Sequence, residues 1–380
     1  MPAGERGLPL VAPSVDDPLV GELSAGVGGP FGAHAGAWRG FWRPERVLVA
    51  LVGVAAVVMV LAKQHCRAVG FVAPDVDVHA CYSDIPPLYA GRGIAAGAFP
   101  YLSVGDWAPV EYPVIIGLVM WVTGRITAGL AGLLPVGANP AVTYFDVNLV
   151  LLVAWLVVTV WATARAAGRR PYDAALVALA PGIMLAGTIN WDLWAVGLTA
   201  LALAAWAGRR PGVAGLALGL GTATKFYPLL VFGPLLVLCW RAGRMRDFWR
   251  ALGAGVGVWL VVNLPFILAN ADGWAEFYRM SRTRGAGFGS VWLVAEHLGV
   301  GVDGRWLNLV ASGLFAVACL AIAVVGLTAP RRPRLASLTF LVVAAFILTN
   351  KVYSPQFVVW LVPLAALARP RWRDFLIWQA

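Results

Sequence analysis

The residues best placed to do chemistry crowd into one polar stretch. Between Lys63 and Tyr112 stand Asp75, Asp77, Asp84, Asp106 and Glu111. A carboxylate held at an interface can take a proton from an attacking hydroxyl, although most acids in such a stretch are simply solvated. Asp84 differs from the others in its surroundings. It lies in Cys81-Tyr82-Ser83-Asp84-Ile85-Pro86-Pro87-Leu88-Tyr89, where aromatic and apolar neighbours flank it and the spacing suits a short helix lying flat. The stretch closes on Glu111-Tyr112-Pro113.

The cations are as selective. Of 29 basic residues only Lys63, Lys225 and Lys351 are lysine, and each stands at the end of an apolar run. Lys225 is set in Thr224-Lys225-Phe226-Tyr227-Pro228, an aromatic and a cation beside a proline-started helix. A lysine in an apolar setting is costly unless paired. It either snorkels to headgroups or contacts a phosphate. Lys351 opens Asn350-Lys351-Val352-Tyr353-Ser354-Pro355-Gln356-Phe357, which groups cation, hydroxyl and amide at a helix start. Arg279, Arg282 and Arg284 share one loop, and guanidinium forks suit phosphate oxygens. Asn190-Trp191-Asp192 reads either as a helix cap with an acidic first turn or as a pair of groups for substrate hydroxyls. Each of these signals is weak alone. Their coincidence on one side of the chain's topology is what carries weight.

That topology follows from composition. The chain is 60% apolar and 13% charged, against about 25% charged in soluble domains. Apolar runs recur along it at lengths near the ~20 residues a membrane span requires, so an all-α polytopic membrane protein is expected. The net charge of +10 reflects arginines in short loops, as the positive-inside bias demands, and not a basic face for nucleic acid. The first span is expected over Arg46–Ala62, followed by the large polar loop 63–112. Further spans are expected near 145–164, 173–189, 193–207, 212–223, 228–240, 251–268, 306–328, 335–349 and 356–368. Arginine-rich ends (Arg39/Arg43/Arg46, Arg165/Arg169/Arg170, Arg209/Arg210, Arg241/Arg244/Arg246/Arg250, Arg331/Arg332/Arg334, Arg369/Arg371/Arg373) alternate with the ends that carry Asp84, Asn190, Lys225, the 269–290 loop and Lys351. The first set is expected in the cytoplasm and the second outside. Residues 113–134 break the alternation, because both ends must lie outside. They read as a pair of short helices that dips in and returns, or as one span with another misplaced. Residues 1–37 read as a disordered tail, and Trp38–Arg43 as an interfacial anchor. The remainder, 38–380, reads as one membrane-embedded unit. The chain stops just inside a new helix at Phe375–Ala380, so a missing C-terminus is expected. Cys66 and Cys81 are either a disulfide or two free thiols, and no zinc site is expected.

Taken together, Ser83-Asp84, Glu111-Tyr112-Pro113, Asn190-Trp191-Asp192, Ala223-Thr224-Lys225-Phe226-Tyr227-Pro228, Asn350-Lys351 and Ser354-Pro355-Gln356 resemble actinobacterial members of glycosyltransferase family 87. These are similar to the polyprenol-phosphate-mannose-dependent α-1,6-mannosyltransferases. The resemblance implies a GT-C fold of about 11–13 membrane helices in the full protein. It implies an active site at the exterior, periplasmic face and a sugar donor carried on a polyprenyl phosphate. The acceptor would be a glycolipid or cell-envelope glycan; no cofactor is expected, and the acids of the first loop leave a metal open. No glycine-rich dinucleotide fingerprint contradicts it. By position the role of catalytic base passes to Asp84, with Asp75, Asp77 and Glu111 as competitors. Glu111, Tyr112, Asn190, Asp192, Lys225, Tyr227, Arg282, Arg284, Lys351, Tyr353 and Gln356 become the candidate substrate contacts, and no metal ligand is assigned. The Pro86-Pro87 pair and Glu111 depart from the threonine or arginine of other branches, which leaves the acceptor open. The alternatives are a pentose (arabinose) transferase and a lipid-linked sugar flippase. A flippase would prefer polar residues near the midplane, within broken helices.

Overall fold

The computed structural model describes residues 43–380 apart from 104 and 134, together with Pro18, Leu19 and Glu22. The rest of the expected tail and the anchor up to Trp42 lie outside the described residues. Helices make up the regular structure among the described residues. Five are long and apolar enough to cross a membrane, and shorter apolar helices lie among them. The chain is a polytopic all-α membrane protein.

The long helices are α1 (Pro44–Val69), α4 (Val114–Leu130, continued by a 3₁₀ turn over Ala131–Leu133), α5 (Pro140–Ala167), α11 (Met245–Ala269) and α14 (Gly304–Thr328); the four-residue α2 (Asp75–Val78) and α3 (Ile85–Gly91) lie in the first loop. Residues 171–186 make a 3₁₀ turn and two short helices, α6 (Ala175–Ala178) and α7 (Pro181–Ala186); α8 (Asp192–Ala207), α9 (Pro211–Thr224) and α10 (Phe232–Arg241) follow. Beyond α11 come α12 (Ala271–Thr283), α13 (Val291–His297), α14, α15 (Leu335–Thr349), α16 (Val358–Ala368) and α17 (Trp372–Gln379).

The alternation of charged loops is reproduced as two faces. On one, the Arg170 and Arg334 guanidiniums donate to the Pro370 and Ala368 carbonyls, and Arg241 donates to Gly326 and Ala329. On the other, the Asp84 amide donates to the Ile189 carbonyl, Asn270 Nδ2 to Tyr101, and Lys351 Nζ to Arg282.

Three expectations change. The span expected over 173–189 is not one helix. Pro181 has no N–H to donate and pushes Ala180 into extended backbone (φ −66°, ψ 118°), so the run breaks there. The 269–290 loop is mostly helical, since Asn270 caps α12 by accepting from Gly273 N. Helix α4 is long enough to cross yet starts and ends on the Asp84 face. Gly117 in its second turn meets Tyr101 of the first loop, Gly124 meets Ile94, and Asn139 just beyond it meets Gly70 at the end of α1. A Cβ at 117 would clash with the Tyr101 hydroxyl, so glycine there lets the loop lie along the helix. One helix with both ends on one face satisfies the parity that the sequence demands.

Helix length sets the depth of the site. At about 1.5 Å per residue, α1 and α5 (26 and 28 residues) run roughly 40 Å, whereas α8 and α9 (16 and 14 residues) run roughly 21–24 Å. Trp191, just before α8, donates from Nε1 to Asn148 Oδ1 at 2.6 Å, two turns into α5. The start of α8 is therefore recessed by about 12 Å from the tip of α5. Helix α9 is held by its small residues: Gly215 and Gly219 lie against the Ala251 and Gly255 carbonyls of α11, where any Cβ would clash. Such close approach is how membrane helices gain packing without a hydrophobic driving force, and it delivers Lys225 at the end of α9 to the recess.

Candidate functional site

Asp84 is built into place from both sides. Cys66 at the end of α1 is disulfide-bonded to Cys81. Lys63, buried in α1, donates from Nζ to the Tyr82 carbonyl at 2.7 Å. Ser83, also buried, donates its hydroxyl to the Thr188 carbonyl at 2.8 Å, and the Asp84 amide donates to Ile189 at 2.8 Å. Residues 81–84 are thus clamped between α1 and the turn before α8.

Asp84 then occupies the position that would cap α3, but its side chain caps nothing. The sequence explains this. A cap carboxylate accepts from the second and third helical amides, and here those positions are Pro86 and Pro87, which have none. The carboxylate is left for other partners. Its Oδ1 accepts from the Tyr82 hydroxyl at 2.5 Å and its Oδ2 from Asn190 Nδ2 at 2.8 Å. Asn190 Nδ2 also donates to the Tyr112 hydroxyl at 2.8 Å, while its Oδ1 accepts from the Trp191 amide. Asn190 is buried and fully bonded, so it orients Asp84 and does not cap α8. Partial burial, and then the bond to Asp84, hold the Tyr82 phenol above its ordinary pKa. Burial, and then the charge of Asp84, do the same for Tyr112. Both phenols stay protonated.

Next to this lies an ion pair. Asp192 is 1% exposed; its Oδ2 accepts from Lys225 Nζ at 3.1 Å and its Oδ1 from Trp360 Nε1 at 2.6 Å. Lys225 is turned into the protein and does not snorkel. Its ammonium also stands 5.5 Å from the centre of the Tyr112 ring, within cation–π range. That contact joins the Asp192–Lys225 pair to the Asp84–Asn190–Tyr112 network. Tyr227 is buried and stacks on Trp360 at 4.5 Å, Trp360 stacks on Phe357 at 4.1 Å, and Tyr353 packs edgewise on Phe357. This aromatic ladder runs from the ion pair toward Lys351.

Lys351, Arg282 and Arg284 form a second cluster on the same face. Lys351 is buried, and it donates to the Arg282 carbonyl at 2.9 Å while its own carbonyl accepts from Gly287. Burial, and then the charge of Arg284, pull the Lys351 pKa below the ordinary lysine value. Both guanidiniums are exposed. Gln356 is buried in the middle of the 3₁₀ turn Pro355–Phe357.

Of the competing acids, Glu111 is bound by both its oxygens to the Arg92 guanidinium, Asp75 pairs with His65, and Asp77 and Asp106 are exposed. Asp84 alone among these five reaches the Asn190 network. Sequence reasoning missed three parts of the assembly: Trp360, whose indole reaches Asp192 from the far end of the chain, Lys63, and the Tyr82 hydroxyl. Only Lys63 carried a signal, as one of three lysines.

Residues 111–355 match the family model of glycosyltransferase family 87. The chain belongs to glycosyltransferase family 87. The match begins at Glu111, so Asp84 lies outside the matched residues and its case as a site residue rests on geometry. No curated protein sequence matches the chain. Among solved structures, the crystal structure of ArnT from Cupriavidus metallidurans bound to undecaprenyl phosphate is similar, with a TM-score of 0.53 and 21% identity over 87% of this chain. The likeness is one of fold, the GT-C fold. The chain corresponds to 62% of the length of that structure.

Proposed function

We propose that this family 87 protein transfers a sugar from a polyprenyl-phosphate donor to a glycan or glycolipid acceptor, with its recess opening to the exterior face of the cell membrane. The orientation is supported by the arginine-rich loops collecting on the opposite face. In this reading Asp84 takes the proton from the acceptor hydroxyl, whose oxygen attacks the anomeric carbon as the bond to the phosphate oxygen breaks, inverting the centre. The base needs a fixed direction, and Tyr82 and Asn190 supply it by donating to its two oxygens. The leaving group is a phosphomonoester. Lys351, Arg282 and Arg284 are the groups assigned to its growing charge, since fixed donors aimed at developing charge lower the barrier. Lys225 is assigned a lesser share, because Asp192 already neutralises it. Tyr112, Asn190, Asp192, Tyr227, Tyr353 and Gln356 then shape the recess and orient the reacting groups.

The observation that carries the reading is the carboxylate of Asp84, held by two donors in a recess while its helix offers it no amide to cap. A donor on a polyprenyl phosphate agrees with the undecaprenyl phosphate bound by the similar ArnT structure. Mannose is the sugar proposed. Membranes containing the protein, incubated with radiolabelled polyprenyl-phosphate mannose or polyprenyl-phosphate arabinose, test both the activity and the sugar. Transfer from mannose alone supports the reading, transfer from arabinose alone reassigns the sugar, and transfer from neither, with folded protein present, overturns it.

A further inference from the structure

A second cluster of reactive groups lies in the first loop, away from the recess. His65 is in the last turns of α1, and Asp75 and His79 are four residues apart at the two ends of α2's single turn, so they share one side. Asp75 Oδ1 is 2.8 Å from His65 Nε2 and 3.7 Å from His79 Nδ1. The two imidazoles stack, with ring centres 3.6 Å apart. One ligand atom from each of the three residues lies within 4.8 Å of the others. All three remain open to solvent, with side-chain exposures of 44%, 32% and 45%. The Cys66–Cys81 disulfide joins the two segments next to this cluster, beside His65 and two residues beyond His79.

We propose that His65, Asp75 and His79 bind a divalent d-block cation, Zn²⁺ in the first instance, and that the bound cation clamps the first loop to the end of α1. Two imidazoles and one carboxylate make a borderline donor set that suits zinc and its neighbours. Calcium and magnesium take oxygen ligands and are excluded by the same set. Three protein ligands leave the fourth zinc position to water. Zinc bonds of about 2.0–2.2 Å in a tetrahedron set ligand atoms roughly 3.3–3.6 Å apart. Asp75 and His79 stand close to that spacing at 3.7 Å, whereas Asp75 and His65, hydrogen-bonded at 2.8 Å, must part slightly as the cation replaces the shared proton, which rotation of the exposed side chains allows. The disulfide has already drawn the two segments together, so the cation completes a closure and need not create one. The clamped segment continues directly into Tyr82, whose hydroxyl orients Asp84. The cation therefore braces the base without touching it.

The test is direct metal binding. Purified full-length protein in detergent, oxidised and stripped with chelator, is titrated with Zn²⁺ in a calorimeter and followed by thermal unfolding. One saturable site per chain is expected, with Tm rising on Zn²⁺ and unchanged by Mg²⁺. His65→Ala and His79→Gln are each expected to weaken binding by about 10²-fold or more, since even outer-shell changes cost 10–100-fold. Their Tm in chelator should equal that of the wild type in chelator, which separates a lost ligand from a damaged fold. His297→Ala should bind normally. Absence of saturable Zn²⁺ binding to the wild type overturns the site, as does unchanged affinity in both ligand variants or loss of binding in His297→Ala.

Discussion

Asp84→Asn isolates the proposed proton transfer from everything else the residue does. The amide has nearly the same shape, and its oxygen can still accept from Asn190 Nδ2. Its NH₂ would face the Tyr82 hydroxyl, which can turn to act as acceptor. The network loses charge assistance on two hydrogen bonds, so a small fall in Tm is expected and the fold should survive. Turnover is another matter. Removing a general base costs roughly 10²–10⁴-fold, or about 3–5 kcal/mol at 1.36 kcal/mol per tenfold. That loss belongs to the transition state, so donor affinity should barely change. Tritiated donor is incubated with purified variant and acceptor glycolipid under single-turnover conditions, and donor binding is measured separately on the same preparation. Asp75→Asn and Asp77→Asn are the companions, and both should be milder because neither carboxylate reaches Asn190. A turnover within threefold of wild type for Asp84→Asn, beside an inactive Asp75 or Glu111 variant, would falsify the assignment and move the base elsewhere in the loop.

The remaining predictions concern the groups around Asp84. Lys225→Ala leaves Asp192 buried with only Trp360 as partner, and breaking a buried pair from one side costs about 3–5 kcal/mol; thermal unfolding should show Asp192→Asn/Lys225→Met recovering much of that loss, and no recovery would mean the pair is not coupled. Cys66→Ser/Cys81→Ser opens a loop of 15-residue separation and should lower stability by about 3 kcal/mol in the chain-entropy picture, seen as a Tm drop that reductant reproduces in the wild type. Lys351 has its folded pKa lowered by burial and then by Arg284, so its positive charge is complete only well below that value and is lost as pH rises through it, earlier than for an ordinary lysine. Donor affinity should fall over that alkaline window, and in Lys351→Arg the fall should disappear; a pH profile identical in the two proteins would remove Lys351 from the phosphate site. For orientation, single cysteines at 84 and 170 in a cysteine-free background should respond oppositely to an impermeant thiol reagent on intact cells, and labelling at 170 alone would invert the topology.

The depth of the site could not have been read from the sequence, although most of its residues could. Loop charge alternation was enough to sort Asp84, Asn190, Lys225 and Lys351 onto one side, because each arginine-rich loop carries that signal within a few residues of itself. What alternation cannot report is the length mismatch between α5 and α9, or that residues 113–134 meet the parity it demands as one helix. Those depend on contacts between residues far apart in sequence, such as Gly117 with Tyr101 and Asn148 with Trp191. The same limit explains the two readings that local pattern favoured and the structure did not. Asn190 looked like a helix cap because the residues after it are helical, yet its amide is spent on Asp84 and Tyr112 from loops 106 and 78 residues away. Lys225 read as a cation that snorkels or meets a phosphate, because its carboxylate partner lies 33 residues upstream. The Pro86-Pro87 pair is the reverse case, a local signal whose meaning was available. It first stood out only as a departure from the family's usual residues, yet two prolines after Asp84 remove the amides that a cap carboxylate would use. A proline pair following an interfacial aspartate therefore predicts a carboxylate free for chemistry. Replacing Pro86 and Pro87 by alanine should draw Asp84 toward the restored amides of α3 and lower turnover with little change in stability, whereas unchanged turnover would show that Tyr82 and Asn190 hold the carboxylate without that help.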